Sequence, residues 1–242
     1  MSITAHKSKN NYKFLQKKGG FMKNLSLSSL AGICLIKGGV LAFIPFLFQI
    51  LGSGPPEEGV HIFTDFAQNV VAGGKLALFY SISSAIGLSL VAYAIYTLNT
   101  ILQKKEKHSV LGLGTFLFVF AQFGLIVAWA IDMSIVFGAE TANIGNLFMI
   151  EMGLFFSFGT VGFIGGGLMS LALADYEFIN KMFLKIVGYI FIVIGLIFIY
   201  TLFTFEYYSS NTILLLFSGV SIGQILSMIW QLLVGVKLVK TA

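Results

Sequence analysis

Charged side chains are scarce in this chain. Asp, Glu, Lys and Arg make up 10% of its 242 residues, whereas 57% are hydrophobic and the mean hydropathy is +0.91. Ordinary soluble domains contain about 25% charged residues. A soluble fold could not bury this much apolar surface, so the composition predicts an integral membrane protein with the lipid bilayer as its main partner.

The residues that carry most membrane-protein chemistry are also rare. Cys34 is the single cysteine, which excludes an internal disulfide and paired-thiol chemistry. No histidine lies inside an apolar segment, which argues against haem ligation, a zinc site or a histidine base within the membrane. The motif HExxH is absent, and Asp132 alone comes near the depth that an aspartate protease requires. We therefore predict no catalytic site, no metal and no cofactor.

Six apolar segments are long enough to cross a bilayer, since each has at least the roughly 20 residues that a spanning helix needs. Alternating short segments, which a membrane barrel would show, are not seen. We predict an all-α protein, a bundle of six transmembrane helices. The predicted limits are 26–51, 76–101, 110–132, 147–173, 182–205 and 212–236.

The lysines fall on one side of this topology. Lys23, the stretch 103–108, Lys181, Lys185, Lys237 and Lys240 lie on that side, and Lys75 is the single lysine on the other, with Glu57, Glu58, Asp65, Glu140 and Glu206. Cytoplasmic loops of membrane proteins are enriched in Lys and Arg. We therefore predict a multi-pass protein of the cell (cytoplasmic) membrane with both termini in the cytoplasm.

The first 21 residues differ from the rest, being polar and basic. They are either a disordered tail that touches anionic lipid or a leader outside the translated protein, with the true start at Met22. Their five lysines account for the whole formal charge of +5, so the basic pI gives no support for a nucleic-acid partner. Residues 22–242 are predicted to form a single six-helix membrane domain.

The longest connection, 52–75, is predicted to contain an amphipathic helix in the outer interface, within 55–72. Pro55 and Pro56 end the first helix, and Glu57 and Glu58 favour a new helix start. Ile62, Phe63, Phe66 and Val70 share one side of a helical wheel. His61 and Asp65 are four residues apart, but no third metal ligand is near, so a local hydrogen bond is the better interpretation.

Lys37, in "CLIKGGVLAF", is the one charged residue between Asn24 and Pro56. It lies roughly 22–27 Å from the end of the first segment, so its ammonium can extend to the nearer head groups. We expect Lys37 to point to the cytoplasmic interface without a carboxylate partner. The alternative is a position at mid-depth, where it would need a partner and would be a functional group.

Asp132 and Glu151 are the acidic residues nearest to the membrane core. Each is about 24 residues from an inner anchor, or roughly 36 Å, which places both near the outer boundary. They could face each other across the turn "VFGAETANIGN". The favoured interpretation is an outer rim in contact with water, and the alternative is an acidic vestibule for a cation or an amine.

At mid-depth the polar residues are neutral. Gln122 and Gln224 lie near the centres of the third and sixth segments, with Ser157 and Thr160 in the fourth. Such groups more often connect helices than form a site, although a solute site remains the alternative.

Small residues recur every three or four positions in the fourth and sixth segments. Such rows let helix backbones approach closely, and we expect internal packing first and homodimerisation second. They are Gly159, Gly162, Gly166 and Ser170, and Gly219, Gly223 and Ser227.

The compact start "MKNLSLSSLAGICL", the interrupted outer connection and the small-residue-rich second segment resemble small six-helix bacterial integral membrane proteins of unknown function. The resemblance implies a fold and no activity. We therefore expect an accessory or structural protein acting through helix contacts, its partner another membrane protein or a second copy. The alternative is a carrier of a small neutral or cationic solute, with Gln122 and Gln224 at its centre and Asp132 and Glu151 at its entrance.

The predicted orientation is tested by cysteine labelling. In a Cys34→Ser background, Glu106→Cys should react with a membrane-impermeant maleimide only after cells are permeabilised. Glu140→Cys, the matched control on the other side, should react in intact cells. Labelling of position 106 from outside would overturn the orientation.

Overall fold

The computed structural model of the protein describes residues 25–52, 60–140, 143–204 and 210–241. All regular structure within these ranges is helical, in agreement with the predicted class. The helices are α1 (Leu27–Gly52), α2 (Ile62–Gly73), α3 (Lys75–Gln103), α4 (Ser109–Phe137), α5 (Ile144–Asp175), α6 (Lys181–Thr204) and α7 (Ser210–Lys240).

Six of the seven helices are long and apolar enough to cross a membrane, and α2 is the short exception. This composition and length suggest a multi-pass membrane protein. The largest deviation from the predicted limits is in α4, which continues to Phe137 instead of ending at residue 132. The extension places Asp132 inside the helix, five residues before its end.

The bundle has two distinct ends. At the first, called the α2 end, the short helix α2 packs against the beginning of α5, with Thr64 against Gly145. The opposite end, called the lysine end, contains the connections 104–108 and 176–180, where His108 Nε2 lies 3.4 Å from Asp175 Oδ2. The start of α1 and the end of α7 also meet at the lysine end.

The six long helices form a ring. Contacts run in the order α7, α1, α3, α4, α5 and α6, and a much smaller contact between α6 and α7 closes the ring. Many aromatic rings point into the interior, including the edge-to-face pair of Phe163 and Phe198 with centroids 5.9 Å apart. The order of the helices therefore encloses a space around the bundle axis.

Glycine pairs bring neighbouring helices into backbone contact at four crossings of the ring. A Cβ atom on Gly165 would lie 2.5 Å from the backbone nitrogen of Phe118, and one on Gly87 would lie 2.6 Å from the backbone nitrogen of Ala42. Only glycine fits such an approach between helices. The four pairs are Gly38 with Gly87, Gly114 with Gly165, Gly167 with Gly188, and Gly32 with Gly235.

The expected small-residue rows lie in different surroundings. In α5, Gly162 faces Ala121, Gly166 faces Phe118, and the Ser170 hydroxyl donates to Leu184 O at 2.8 Å. Gly159 does not have the packing role expected of it. A Cβ atom there would meet nothing within 4 Å, because the residue borders a central cavity.

In α7, Gly219 faces the ring of Phe198 and Gly223 faces the ring of Phe163. Ser227 accepts a hydrogen bond from Gln231 Nε2 at 3.0 Å, within α7. These contacts are internal to the bundle, so they do not require a second copy of the chain.

The helix α2 begins later than the sequence predicted. Glu57 and Glu58, the expected start, lie outside the described residues, and His61 caps the helix by accepting from the amide of Phe63 at 3.3 Å. Ile62 and Val70 are buried and Phe63 and Phe66 are partly buried, so the predicted apolar side packs on the bundle. The tail 1–21, Met22 and Glu206 also lie outside the described residues, and the domain limits stay a prediction.

The glycine crossings give a stability test. Gly165→Ala should force α4 and α5 apart, costing about 1–3 kcal/mol as overpacking does. The matched control is Gly153→Ala in the same helix, where an added methyl group meets nothing within 4 Å. Thermal unfolding in detergent should show a lower midpoint for Gly165→Ala alone, and equal midpoints would contradict the packing account.

Candidate functional site

A cavity of about 260 Å³ lies inside the ring, towards the α2 end. Five of the long helices and α2 line it, and most of the lining is apolar, including Trp129, Phe156 and Phe163. A dry cavity of about 150 Å³ accommodates benzene, so this one has room for an aromatic ring with a small substituent. Its polar lining comprises Gln49, Glu151, Ser218, Ser221 and Gln224.

Asp132 on α4 is fully buried beside this cavity. Gln49 Nε2 on α1 donates to Asp132 Oδ2 at 2.8 Å, and the Ser81 hydroxyl on α3 approaches the same oxygen at 3.3 Å. Three helices therefore meet at one carboxyl oxygen.

Glu151 on α5 lies within hydrogen-bonding reach of Asp132 and lines the cavity. The expected meeting of the two side chains across the turn is therefore found. The expected water-exposed rim is wrong, since Asp132 is 0% and Glu151 1% exposed. The reason is that α4 and α5 extend beyond both residues, while α1 and α3 cover the pair from the side.

Each carboxyl group keeps one oxygen without a hydrogen-bond donor in the described part of the chain. These atoms are Asp132 Oδ1 and Glu151 Oε2. Burying a charge without a counter-charge or full hydrogen bonding costs several kcal/mol, and two adjacent carboxylates also repel each other. The arrangement can thus bind a positively charged group next to an apolar space.

A second cavity, of about 50 Å³, continues along the axis towards the lysine end. Gln122, Gln224 and Gln231 line it, and Gln224 lines both cavities. Gln122 Nε2 donates to Phe118 O at 3.3 Å within its own helix, so its amide group does not connect helices as expected. Gln231 Oε1 is buried without a partner among the described residues. The three glutamines therefore face a shared space, whereas Ser157 is exposed and the Thr160 hydroxyl donates to Phe156 O at 2.7 Å within α5.

Lys37 lies elsewhere. Its side chain is exposed on the surface of α1, and neither of the ion pairs formed by the described residues includes it. It is not enclosed by Gln122, Gln224 or either buried carboxyl group. This placement suits the interpretation in which Lys37 extends along lipid, and it separates Lys37 from the candidate site.

Sequence reasoning missed Gln49, Ser81 and Trp129. A depth comparison could have found the first two, because Gln49 is three residues before the end of α1 and Ser81 six residues after the start of α3. Asp132 and Glu151 are at similar distances from their helix ends. Trp129 carries no comparable signal, since an aromatic residue in an apolar helix faces lipid as readily as a cavity.

Searches among known protein families, curated proteins and solved structures give no match to this chain. The assignment of a site therefore depends on the geometry of the chain itself. Within the described residues, no group of three or more His, Cys, Asp or Glu side chains is placed to hold a metal ion. Two carboxyl groups and two neutral donors define the site.

The hydrogen bonds to Asp132 predict different outcomes for two substitutions. Asp132→Asn keeps an oxygen that accepts from Gln49 and Ser81, so the fold should be retained. Asp132→Leu removes the acceptor of the 2.8 Å hydrogen bond from Gln49, while the Ser81 hydroxyl still donates to Ala77 O at 3.0 Å, and it should lower the free energy of unfolding by about 1–3 kcal/mol. Thermal unfolding in detergent compares the two variants, and an equally stable Asp132→Leu would show that these hydrogen bonds do not stabilise the bundle.

Proposed function

We propose that the protein is a carrier that binds a small, largely apolar cation in its central cavity, with Glu151 as the counter-charge. One observation carries the proposal: a buried carboxyl group, with one oxygen that has no partner in the described part of the chain, lines an otherwise mostly apolar cavity. Ligand sites in proteins commonly combine an apolar wall with a few placed polar groups. An organic ammonium ion with one aromatic ring fits this lining, because its ring can contact the apolar part and its charge can lie next to Glu151.

The aromatic lining favours the same class of solute. The indole of Trp129 lies edge-to-face with Phe155, at 90° and 5.6 Å between centroids, and both residues line the cavity. Aromatic faces attract quaternary and primary ammonium groups. A cation between these rings and Glu151 would be neutralised on one side and solvated by the rings on the other.

This geometry favours the carrier over the accessory protein that the missing catalytic residues first suggested. A protein acting only through outer helix contacts needs no cavity and gains nothing from two adjacent buried carboxyl groups, which destabilise a bundle when unpaired. Intramembrane ionisable residues usually mark a substrate or ion pathway. The second cavity, with its three glutamines, extends this polar pathway along the bundle axis.

The proposed setting is the cell membrane, with the lysine end in the cytoplasm. The clustering of described lysines supports this orientation, since Lys104, Lys105, Lys181 and Lys237 all lie at or near that end of the bundle. The cavity then lies closer to the outer face. A solute would reach Glu151 first and the glutamines afterwards.

Binding is measured with benzyltrimethylammonium, using the fluorescence of Trp129. The wild type should respond, and Glu151→Gln should bind roughly tenfold or more weakly, because a buried cation loses its counter-charge. Neopentylbenzene, in which carbon replaces the charged nitrogen, should bind the wild type and Glu151→Gln with equal affinity. Uptake of the labelled cation into proteoliposomes should fall in the same variant.

Two control variants accompany this measurement. Glu140→Gln removes an exposed carboxylate at the same end of the bundle and should bind like the wild type. Trp230→Phe removes the tryptophan outside the cavity lining and should leave the fluorescence response intact. Equal affinity of wild type and Glu151→Gln, or a matching loss in Glu140→Gln, would contradict the proposed site.

A further inference from the structure

The pairing of Asp132 with Glu151 points to a second ligand of the same site. We infer that the two carboxyl groups hold one proton between them when the cavity is empty, and that binding of the cationic solute releases this proton. The inference rests on the proposed function of the cavity, and it adds that binding of the solute is coupled to release of a proton. It makes the protein an exchanger of an organic cation for a proton.

The geometry supplies the reason for a shared proton. Asp132 and Glu151 are buried together, in hydrogen-bonding reach, and each has one oxygen without a hydrogen-bond donor among the described residues. Two carboxylates this close and this deeply buried repel each other strongly, and a proton between them is the smallest counter-charge. A hydrogen bond from one carboxyl group to the other then replaces their repulsion.

Among the described residues, neither carboxyl group of the pair forms an ion pair, and Lys75 at the start of α3 and His61 at the start of α2 are both exposed. Gln49 on α1 and Ser81 on α3 are neutral donors to Asp132. On α2, Asp65 is a further buried carboxyl group that accepts from Asn69, and it would add negative charge. The described part of α7 contains no titratable residue before Lys237, and α6 offers only its terminal lysines and exposed tyrosines.

The exchange step balances without any further reactant. The O–H bond of the shared proton breaks, the proton passes to water, and the pair keeps both electrons of that bond. The ammonium group then occupies the site next to Glu151, so the net charge of the occupied and empty cavity is the same. The total charge buried in the bundle is therefore held constant while the ligand changes.

Proton release on binding tests the inference. Benzyltrimethylammonium has no proton of its own to release, so any proton that appears comes from the protein. In weakly buffered detergent solution near neutral pH, a pH indicator should report about one proton released per bound cation. The affinity of the wild type should also weaken about tenfold per pH unit on acidification, as linkage of one proton to one ligand requires.

Asp132→Asn separates the shared proton from the binding charge. Glu151 remains as counter-charge, so this variant should still bind the cation. Without the repulsion from a neighbouring carboxylate, Glu151 loses its proton more readily, so the pH below which the affinity weakens should be lower than in the wild type. Glu140→Gln, the control, should keep the wild-type pH profile. If Asp132→Asn does not fold, the pH dependence of the wild type decides alone.

Different results would contradict the proton exchange and the cation site. Binding without proton release, or with an affinity independent of pH, would overturn the exchange while leaving the cation site. An Asp132→Asn variant with the same pH profile as the wild type would also overturn it, because Asp132 would then take no part in holding the proton. Absence of any binding would contradict both the proposed function and the proton exchange.

Discussion

Two carboxyl groups facing each other inside an apolar bundle are the constraint on which this structure depends. Asp132 and Glu151 are buried at 0% and 1% exposure, and the hydrogen bonds from Gln49 and Ser81 satisfy one oxygen of Asp132. Such a pair lowers the stability of the folded protein unless a positive charge or a proton compensates it. A bundle selected only for packing would have apolar residues at these positions. The proposed cation, and in the empty site the shared proton, would supply that compensation.

The rest of the bundle places and shields this pair. Glycine crossings bring α1 against α3 and α4 against α5, and these are the four helices that supply the site. The ring that results is closed most weakly between α6 and α7, which contribute neither carboxyl group. Movement of α6 against α7 would therefore open or reshape the cavity with the smallest loss of packing, while the carboxyl pair stays assembled. The weakly packed part is confined to the seam between α6 and α7, because glycine crossings also join α6 to α5 and α7 to α1.

The helices were predictable from sequence, and the site only in part. Apolar length marks the six long helices, and depth counting placed Asp132 and Glu151 near the α2 end and opposite each other. Their burial was not predictable, because the long helices are apolar on every side, so periodicity does not separate a face towards lipid from a face towards the bundle. Gln49 and Ser81 were not predictable as partners of Asp132, because a single sequence does not show which helices are neighbours. Gly159 was expected in a packing row and instead borders the cavity, a difference that spacing alone does not encode.

Infrared difference spectroscopy on the carboxyl groups tests the central claim most directly. The C=O stretching band of a protonated carboxyl group should be present in the wild type near neutral pH, should disappear at a lower pH in Asp132→Asn and Glu151→Gln than in the wild type, and should be unchanged in Glu140→Gln. Addition of benzyltrimethylammonium should remove the band from the wild type. A wild type without this band, or a band that persists when the cation is bound, would contradict the account of a carboxyl pair that exchanges its proton for a cation.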